Sequence, residues 1–449
     1  MKEKVYFEFL QVAVGNRKSL SVAINDSDWL RLFYFCKKQA LIGVGFSAVE
    51  KLHAQGALCP SNLRMQWMAL ALQIEKRNAL LNEQCKKLTE QYWHDGLSTC
   101  ILKGQGNCLN YPEELKKRRM PGDIDVWCIP PKDGLDIAVA TGNNDVEYVN
   151  YKDVNAVIEY GRMQHRLAGN NKKPVIRYHH IDAPKMEGTE VEVHFRPCYT
   201  HSPLRNWRMQ RWFDNHTDVC MKNKTHMGFA VPTASVNVVY QMCHLFSHYF
   251  DEGLGLRQLM DYYFALRVWH NDVMECKDLQ SQGMWSEGLG TPVMSKEEVM
   301  AVLRSFGMRK FAGAVMWVLN EAFENEECRM KKQRSATEGK ANEECSDADE
   351  VGEQQLPAIE QQLKKNNCAP WMICEPNEVE GRKLLAEIMQ GGNFGQYDTR
   401  DVLLKKGGMM KHGLWKLKRV MRLVSSYPEE ALWEPVFRVW HLVWRGING

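Results

Sequence analysis

The sequence predicts an α+β protein in which a small mixed sheet lies between helical regions. The first 95 of its 449 residues repeat apolar side chains at helical spacing. Between residues 96 and 200 the apolar runs are short and end at glycine or proline, as strands do. From residue 201 the helical spacing returns. The expected regions are a helical region at 1–95, a mixed core at 96–200, a second helical region at 201–325, a charged insertion at 326–380 and a helical end at 381–449.

Two helices are expected before the core. DSDWLRLFYFCKKQAL (26–41) begins with a capping residue at Asp26 or Ser27. LRMQWMALALQIEKRNALLNEQCKKLTEQYW (63–93) follows the loop CPSN and keeps a helical pattern over its length. These two segments predict that the first 95 residues form a helical region.

The core is expected to begin with short strands. STCILKGQG (98–106) is an apolar run that ends at glycines, and IDVWCI (124–129) is an apolar run that two prolines stop. LDIAVAT (135–141) is expected to begin a helix, and VEYVN (146–150) is expected to form a strand. The period of the apolar residues therefore changes from helical to strand-like at the start of the core.

A pair of strands is expected to complete the core. KPVIRYHHI (173–181) and TEVEVHFRP (189–197) have the composition of strands. PKMEG (184–188) between them contains turn residues and is expected to connect them. The two runs therefore predict an antiparallel pair.

The second half of the chain is expected to be mostly helical. TASVNVVYQMCHLFSHYF (233–250) and GLRQLMDYYFALRVW (255–269) are strong helical patterns joined by a short loop with glycines. Residues 326–380 are charged and poor in large apolar side chains, which is typical of a mobile insertion or linker. The last 70 residues return to a helical pattern and end in WEPVFRVWHLVWRG.

Composition gives no bias toward one class of partner. The 44% hydrophobic and 25% charged shares are those of a soluble globular protein, and a net charge of +3 points neither to nucleic acid nor to a membrane surface. The N-terminus lacks the pattern of a signal peptide, and no apolar run is long enough for a membrane helix. The 14 cysteines are scattered without a CxxC pair, so we expect reduced thiols in a cytoplasmic protein without membrane association.

The stretch PGDIDVW (121–127) places two carboxylates close together. Side chains of a strand point alternately to its two faces, so Asp123 and Asp125 would share one face while Ile124 and Val126 take the other. Two close carboxylates repel, and each raises the pKa of the other. This arrangement costs stability unless solvent, a basic side chain or a metal ion compensates for the repulsion.

A later strand adds further ionisable groups. Glu190, Glu192 and His194 alternate with apolar residues in TEVEVHFRP. Alternation alone is what an ordinary sheet with one solvated face produces. Together with Asp123 and Asp125, it indicates carboxylates converging on one sheet face, which would be costly without cations. Two Mg²⁺ ions, which prefer oxygen ligands and substrate phosphate, would remove that cost.

The residues before the aspartates offer phosphate contacts. ILKGQG places Lys103 and Gly104 at a strand end, where a lysine supplies positive charge and a glycine lets backbone amides approach an anion. A simple tight turn also explains Gly104. The basic run KKRR ends at Arg119, where a solvated loop and a phosphate contact are alternatives.

The order LKG, RMPGDID, EVEVHFR, a helix with H-x3-H and then RQLMD resembles the uncharacterised nucleotidyltransferase family of the DNA polymerase β-like superfamily, most closely its Bacteroidetes-type members. The resemblance extends over most of the chain and includes GGNFGQYD (391–398). It implies a polymerase β-like core with helical flanks. Asp123, Asp125 and Glu192 would be the catalytic metal ligands, with Glu190 as the alternative third carboxylate.

The resemblance also implies an activity. A nucleoside monophosphate would pass from a nucleoside triphosphate such as ATP to a hydroxyl, by a two-metal mechanism with Mg²⁺ or Mn²⁺. Glu192 would help to accept the proton, while Lys103, Gly104, Arg119 and Gly122 would contact phosphate. The acceptor is a protein side chain, a nucleic-acid end, a sugar or a small metabolite. The alternative is a catalytically inactive module of the same fold that binds a nucleotide or a partner.

Two features depart from the superfamily, namely the residue that follows Gly104 and the gap from Gly104 to Asp123, which is longer than usual. Several other features allow two interpretations. Gly104 is followed by Gln105 where a serine or glycine is usual, which affects the triphosphate contacts more than the metal site. His244 and His248, four residues apart, either lie beside the core or face the cleft. HLFSH lacks the glutamate of a zinc-protease HExxH motif.

Three smaller expectations complete the sequence analysis. Arg257 and Asp261, also four apart, are expected to form a helix-stabilising pair. The GGNFG turn is expected to end a helix, with phosphate binding as the alternative. His179, His180 and His194 could line the same sheet face, where metal binding is the lesser alternative. The oligomeric state is left open.

Overall fold

The computed structural model describes residues 3–141, 145–169, 173–281, 293–324, 369–400, 402 and 408–448. The described strands are β1 (Ser98–Ile101), β2 (Ile124–Ile129), β3 (Leu135–Thr141), β4 (Asp145–Tyr151), β5 (His180–Met186) and β6 (Thr189–His194). Most of the expected insertion at 326–380 lies outside the described residues.

Helices precede, interrupt and follow these strands. The described helices are α1 (Glu3–Ala13), α2 (Asp26–Lys38), α3 (Ile42–His53), α4 (Ser61–His94), α5 (Gln105–Cys108), α6 (Glu113–Lys116), α7 (Asp153–Leu167), α8 (Pro203–Asn215), α9 (Thr217–Lys222), α10 (Ala234–Asp251), α11 (Leu256–Ser281), α12 (Lys296–Ser305), α13 (Arg309–Phe323), α14 (Glu378–Gly391), α15 (Met409–Leu423) and α16 (Pro428–Asn448). No helix within the described ranges is both long enough and apolar enough to cross a membrane.

The core sheet has four strands in the order β1-β2-β6-β5. Strands β2 and β6 are parallel, and the two outer pairs are antiparallel. The parallel register places Asp125 opposite Glu192, and Trp127 opposite His194. Strands β3 and β4 form a separate antiparallel hairpin. A small mixed sheet with helices before and after it confirms the predicted α+β class.

The two faces of the core sheet differ in what they contact. Ile124, Val126 and Val193 belong to a smaller apolar cluster on one face, where helices α4 and α7 contact the strands. Trp127, which has the same strand parity as Asp125, belongs instead to the larger cluster of the helical regions, and its ring centroid lies 6.3 Å from that of Phe213. The ionisable face of the sheet therefore looks toward the helical body.

Helix α4 takes part in both apolar clusters. Trp67, near its start, is buried in the larger cluster, while Leu81, farther along, is buried in the smaller one. Between them, the buried amide of Asn78 donates hydrogen bonds of 2.8 and 2.7 Å to the carbonyl oxygens of Lys117 and Arg119. Since β2 begins at residue 124, these bonds fix the loop that leads into it.

The prediction that LDIAVAT begins a helix is wrong. Residues 135–141 form β3, which pairs over its whole length with β4. Seven apolar-rich residues are too short for their period to distinguish a helix from a strand. The pairing partner, which follows after a short connection, decides in favour of the strand.

The last two strands are displaced from their predicted bounds. The strand expected at 173–181 begins at His180 and continues to Met186, through most of the predicted turn. The connection is reduced to Glu187 and Gly188, which both have positive φ angles, 49° and 84°. Two consecutive residues of positive φ suit the twist of a two-residue hairpin. The antiparallel pairing itself is as expected.

Helix starts agree with the sequence to within a few residues. The N-cap of α2 is Asn25 rather than Asp26 or Ser27, and its side chain accepts a hydrogen bond from the backbone N–H of Asp28. The Asp28 carboxylate in turn accepts from the backbone N–H of Asn25, which completes a capping box. The sequence therefore located the helix but assigned its cap one or two residues too late.

The C-terminal helix α16 carries a contact that is sensitive to pH. His441 stacks on Phe437 and Trp444, and its burial, with the charges of Arg445 and Arg177, lowers its pKa to about 4. An unfolded histidine has a pKa near 6.5, so this contact favours folding above that pH and the benefit is lost as the pH falls toward 4. We expect calorimetry to show a smaller fall in Tm from pH 7 to pH 5 for His441→Phe than for the wild type. Equal falls would contradict this assignment.

Candidate active site

Ionisable side chains form a continuous series of contacts on the sheet face that looks toward the helical body. Lys103 Nζ lies 2.6 Å from Asp125 Oδ1, and His194 Nε2 lies 3.0 Å from the same oxygen. Glu192 Oε2 is 3.5 Å from His194 Nε2 and also 3.5 Å from His180 Nδ1. Three strands supply these groups, together with the turn that follows β1. The facing pair of Asp125 and Glu192 stands at their centre.

This face is buried. Asp125 and His194 are each 1% exposed, and His180 is 3% exposed. An ordinary antiparallel sheet with one solvated face would leave such groups in water. Burying charged groups is costly unless they are paired, and here each charge has a partner of opposite sign or a hydrogen bond. The face is solvated at Glu190, at the start of β6, but a solvated face does not explain the polar residue at His194.

Neighbouring charges determine the ionisation states of Asp125, Lys103 and Glu192. Burial alone would raise the pKa of Asp125, but Lys103 and the hydrogen bond from His194 hold that pKa well below its usual range. Burial likewise opposes the charge of Lys103, yet the carboxylates raise the pKa of this lysine above its usual range. Burial also acts to raise the pKa of Glu192, and the hydrogen bond from His194 lowers it on balance. At neutral pH the site therefore holds two carboxylates and an ammonium.

Asp123 lies immediately before β2, exposed and at the edge of this group. The charge of Asp125 raises the pKa of Asp123, although Lys103 opposes the effect. A bound cation would relieve this repulsion. Asp125, Glu192 and His194 each offer one ligand atom within 4.8 Å of the others, a group that could hold a metal ion, and Asp123 lies outside this group. Carboxylate oxygens are ligands that Mg²⁺ and Mn²⁺ accept.

The turn after β1 requires its glycine. Gly104 has a φ of +55°, and a Cβ at this position would lie 3.3 Å from the carbonyl oxygen of Asp123. The turn therefore runs closely past the loop that carries Asp123. Gln105, the departure noted in the sequence, is buried and donates hydrogen bonds of 3.2 Å to the Asn78 carbonyl and 2.6 Å to Asn82 Oδ1. Its side chain anchors the turn to α4.

Arg119 lies in a buried ion pair. Its guanidinium donates two hydrogen bonds of 2.7 Å to the carboxylate of Asp261, and the Tyr111 hydroxyl donates a third, also 2.7 Å, to the same group. The predicted pairing of Arg257 with Asp261 is therefore wrong, because Asp261 is bound to partners that are distant in sequence. Arg119 is 4% exposed and anchors the loop before β2 to α11, which argues against the expected phosphate contact.

Arg257 faces the loop that carries Asp123. Its Nη1 lies 3.4 Å from the carbonyl oxygen of Met120 and 3.8 Å from the place where a Cβ of Gly122 would stand. It is 8% exposed, its guanidinium lies 5.3 Å from the Phe394 ring centroid, and its Nε has no hydrogen-bond partner among the described residues. A buried guanidinium with a free donor suits an anion. This arrangement is not evident from the sequence, where a helical ion pair with Asp261 is the simpler explanation for Arg257.

The structure separates the two candidate glutamates. Glu190 is exposed and forms an ion pair with Lys185, whereas Glu192 contacts His180 and His194. Both side chains lie on the same face of β6, but only Glu192 stands opposite Asp125. The structure therefore favours Glu192 as the third carboxylate of the cluster, and Glu190 makes no contact with its ionisable groups among the described contacts.

The two histidines of α10 occupy different surroundings. Burial first, and then the charge of Lys103, hold the pKa of His244 well below its usual range, which places this ring within reach of the ionisable face. His248 contacts the His244 ring at a centroid distance of 4.3 Å, and the Phe394 ring at 4.9 Å. His244 therefore lies next to the site, and His248 continues from it toward the GGNFG turn.

The GGNFG turn ends helix α14, as expected. Gly392 follows the helix with a φ of +64°, and its backbone N–H donates to the Ile388 carbonyl. Phe394 has a φ of +52°, in the left-handed region that a bulky residue rarely adopts. Its ring contacts both His248 and Arg257. The strained backbone of Phe394 therefore positions an aromatic ring beside the loop before β2.

Comparison with known proteins identifies one family. A family model described as uncharacterised nucleotidyltransferase matches residues 25–283. The matched span includes the whole contact series from Lys103 to His194, as well as Arg257 and Asp261. It ends before the GGNFGQYD turn and the helical end, which the resemblance was expected to include. No curated protein and no solved structure matches the chain.

Proposed function

The chain belongs to the uncharacterised nucleotidyltransferase family, and we propose that it moves a nucleoside monophosphate from a nucleoside triphosphate to a hydroxyl acceptor. The observation that carries this proposal is that Asp125, Glu192 and Lys103 lie close together on one sheet face, with Asp123 beside them. Such a group of charges has a cost that binding of a metal and a phosphate would offset. The acceptor is a hydroxyl of a protein, a sugar, a small molecule or a nucleic-acid end.

Asp123, Asp125 and Glu192 would hold the divalent ions, Mg²⁺ or Mn²⁺. When bound, two such ions neutralise phosphate charge and lower the pKa of the acceptor hydroxyl. Lys103 is an ammonium close to these carboxylates and would contact the phosphates. We assign Arg257, instead of the paired Arg119, as the second phosphate cation, since its guanidinium lies beside Gly122 and keeps a free donor.

The chemistry needs an oriented acceptor and a place for its proton. The acceptor oxygen attacks the α-phosphorus and forms the new O–P bond, while the bond to the leaving pyrophosphate breaks. The acceptor proton passes to Glu192, which is ionised at neutral pH because the hydrogen bond from His194 lowers its pKa. His194 also contacts Asp125 and therefore holds both carboxylates in position.

One observation favours a second candidate function, that of a catalytically inactive module which binds a nucleotide or a partner. Lys103 lies 2.6 Å from Asp125 and neutralises this carboxylate with the chain's own charge. A site whose central carboxylate is compensated in this way is stable without a metal. The two functions differ in turnover, because only an active enzyme releases pyrophosphate.

A thermal-shift experiment tests nucleotide binding. We expect at least one of ATP, GTP, CTP and UTP, with Mg²⁺ or Mn²⁺, to raise the Tm of the wild type, since a ligand at 100 times its Kd stabilises by about 2.7 kcal/mol. The shift should be lost in Asp123→Asn, smaller in Arg257→Gln, and retained in Asp218→Asn, a matched loss of an exposed carboxylate.

The outcomes separate the candidate functions. Transfer of label from an α-phosphate-labelled nucleotide, with release of pyrophosphate, supports the enzyme. A metal-dependent shift without turnover on any hydroxyl acceptor class supports the binding module. A wild type that responds to none of the nucleotides contradicts the enzyme and favours the inactive module that binds a partner.

A further inference from the structure

Three histidine rings cluster on the ionisable face, beyond the carboxylates. The ring centroids of His179, His180 and His194 lie 4.4, 5.1 and 5.2 Å apart. Each ring offers one nitrogen within 4.8 Å of the others. The nitrogens that face one another are His179 Nε2 and His180 Nδ1, 3.0 Å apart, and the third ring presents His194 Nε2 to Asp125 and Glu192. The proposed transfer of a nucleotide uses only the third of these histidines.

The backbone holds the three rings together. His180 and His194 are directly paired in the register of β5 and β6. The carbonyl oxygen of His179 accepts hydrogen bonds of 3.0 and 3.2 Å from the backbone N–H groups of Phe195 and Arg196. All three positions are therefore fixed by strand pairing, as a preorganised site requires.

The distances among the potential ligand atoms suit a shared ion. His179 Nε2 is 3.0 Å from His180 Nδ1, and Glu192 Oε2 is 3.5 Å from both His180 Nδ1 and His194 Nε2. Two ligands bound at roughly 2.0–2.1 Å to one tetrahedral ion are separated by about 3.3 Å.

We propose that His179, His180 and His194, with Glu192 as an oxygen ligand, form a binding site for a transition-metal dication of the Zn²⁺ class. Imidazole nitrogen suits zinc and its neighbours, whereas Mg²⁺ prefers oxygen ligands and retains water. Asp182 Oδ1 lies 3.5 Å from His180 Nε2, where a carboxylate can orient a metal-binding imidazole. The site adjoins the proposed nucleotide site through Glu192 but needs neither a nucleotide nor turnover.

Zinc affinity without nucleotide tests this site. We expect the chelator-treated full chain to bind one Zn²⁺ with Mg²⁺ in large excess, measured by competition with a chromogenic chelator. The double variant His179→Gln/His180→Gln should weaken binding by about 100-fold or more. His226→Gln, a loss of one exposed histidine, and Asp123→Asn should bind zinc like the wild type. Asp123→Asn should therefore lose nucleotide binding and keep zinc binding, so that this variant tests the proposed function separately from the zinc site.

X-ray absorption on the zinc-loaded wild type keeps the test independent of how the variants fold. Scattering from two or three imidazoles is the expected result. A zinc shell made of oxygen alone, or of cysteine sulfur, would overturn the proposal. Zinc binding of wild-type strength in a folded double variant would overturn it as well.

Discussion

Asp125→Asn is expected to lower metal-dependent nucleotidyl transfer by about 10³-fold or more, because it removes the central charge of the site. Asp125 is the carboxylate that Lys103 and His194 both contact, and it stands opposite Glu192. The measurement is the rate of incorporation of an α-labelled nucleotide, with any acceptor that the wild type uses. A variant that keeps transfer within tenfold of the wild-type rate would contradict the metal assignment.

A loss of activity must be separated from a loss of stability. Asp125→Asn leaves the ammonium of Lys103 buried without its charge partner, which destabilises a protein. The double variant Lys103→Met/Asp125→Asn removes both charges and should recover part of the lost Tm while remaining inactive. Recovery of transfer together with stability would show that the single variant failed only through its fold.

Asp261→Ala is expected to lower the free energy of unfolding by about 3–5 kcal/mol, since breaking a buried pair leaves an uncompensated charge. The Arg119 guanidinium would lose two hydrogen bonds, and the Tyr111 hydroxyl would lose its acceptor. Denaturant unfolding at pH 7 measures the change. We expect the loop before β2 to loosen in the variant, because Arg119 fastens this loop to α11.

An exposed ion pair provides the control for this stability prediction. Lys87 and Glu187 lie 3.3 Å apart with more than half of each side chain exposed. Lys87→Ala should change the free energy of unfolding by no more than about 1 kcal/mol. If Asp261→Ala costs as little as Lys87→Ala, the buried network does not anchor the loop.

The sequence predicted which side chains share a face of each strand because strand geometry is local, whereas the register that sets Asp125 opposite Glu192 comes from the pairing of β2 with β6. Asp123, Asp125 and Glu192 follow a two-residue period, and that period alone places their side chains relative to the strand. Burial of the same face could not be read from the sequence. It results from helices that follow the sheet by tens of residues, and His244 of α10 is one of the groups that meet the face.

One failed prediction involves a partner distant in the sequence. The helical spacing of Arg257 and Asp261 was a sound local reason to pair them, yet Asp261 binds Arg119, which is 142 residues away. A bidentate contact in a buried setting outweighs a surface pair worth a few tenths of a kcal/mol. The prediction for LDIAVAT failed for a different reason, because its partner β4 is close in the sequence and seven residues are too few for their period to distinguish a helix from a strand.

The length of α4 has a consequence for how the molecule responds to strain. This helix has 34 residues, about 51 Å at 1.5 Å per residue, and is buried in one core near its start and in the other near its end. Between these two buried parts of the helix, Asn78 donates hydrogen bonds to the loop before β2. The loop before β2 is therefore attached near the middle of a rigid helix. If either apolar cluster loosened and the helix tilted, the loop would move with it, and Asp123 would be displaced relative to β6.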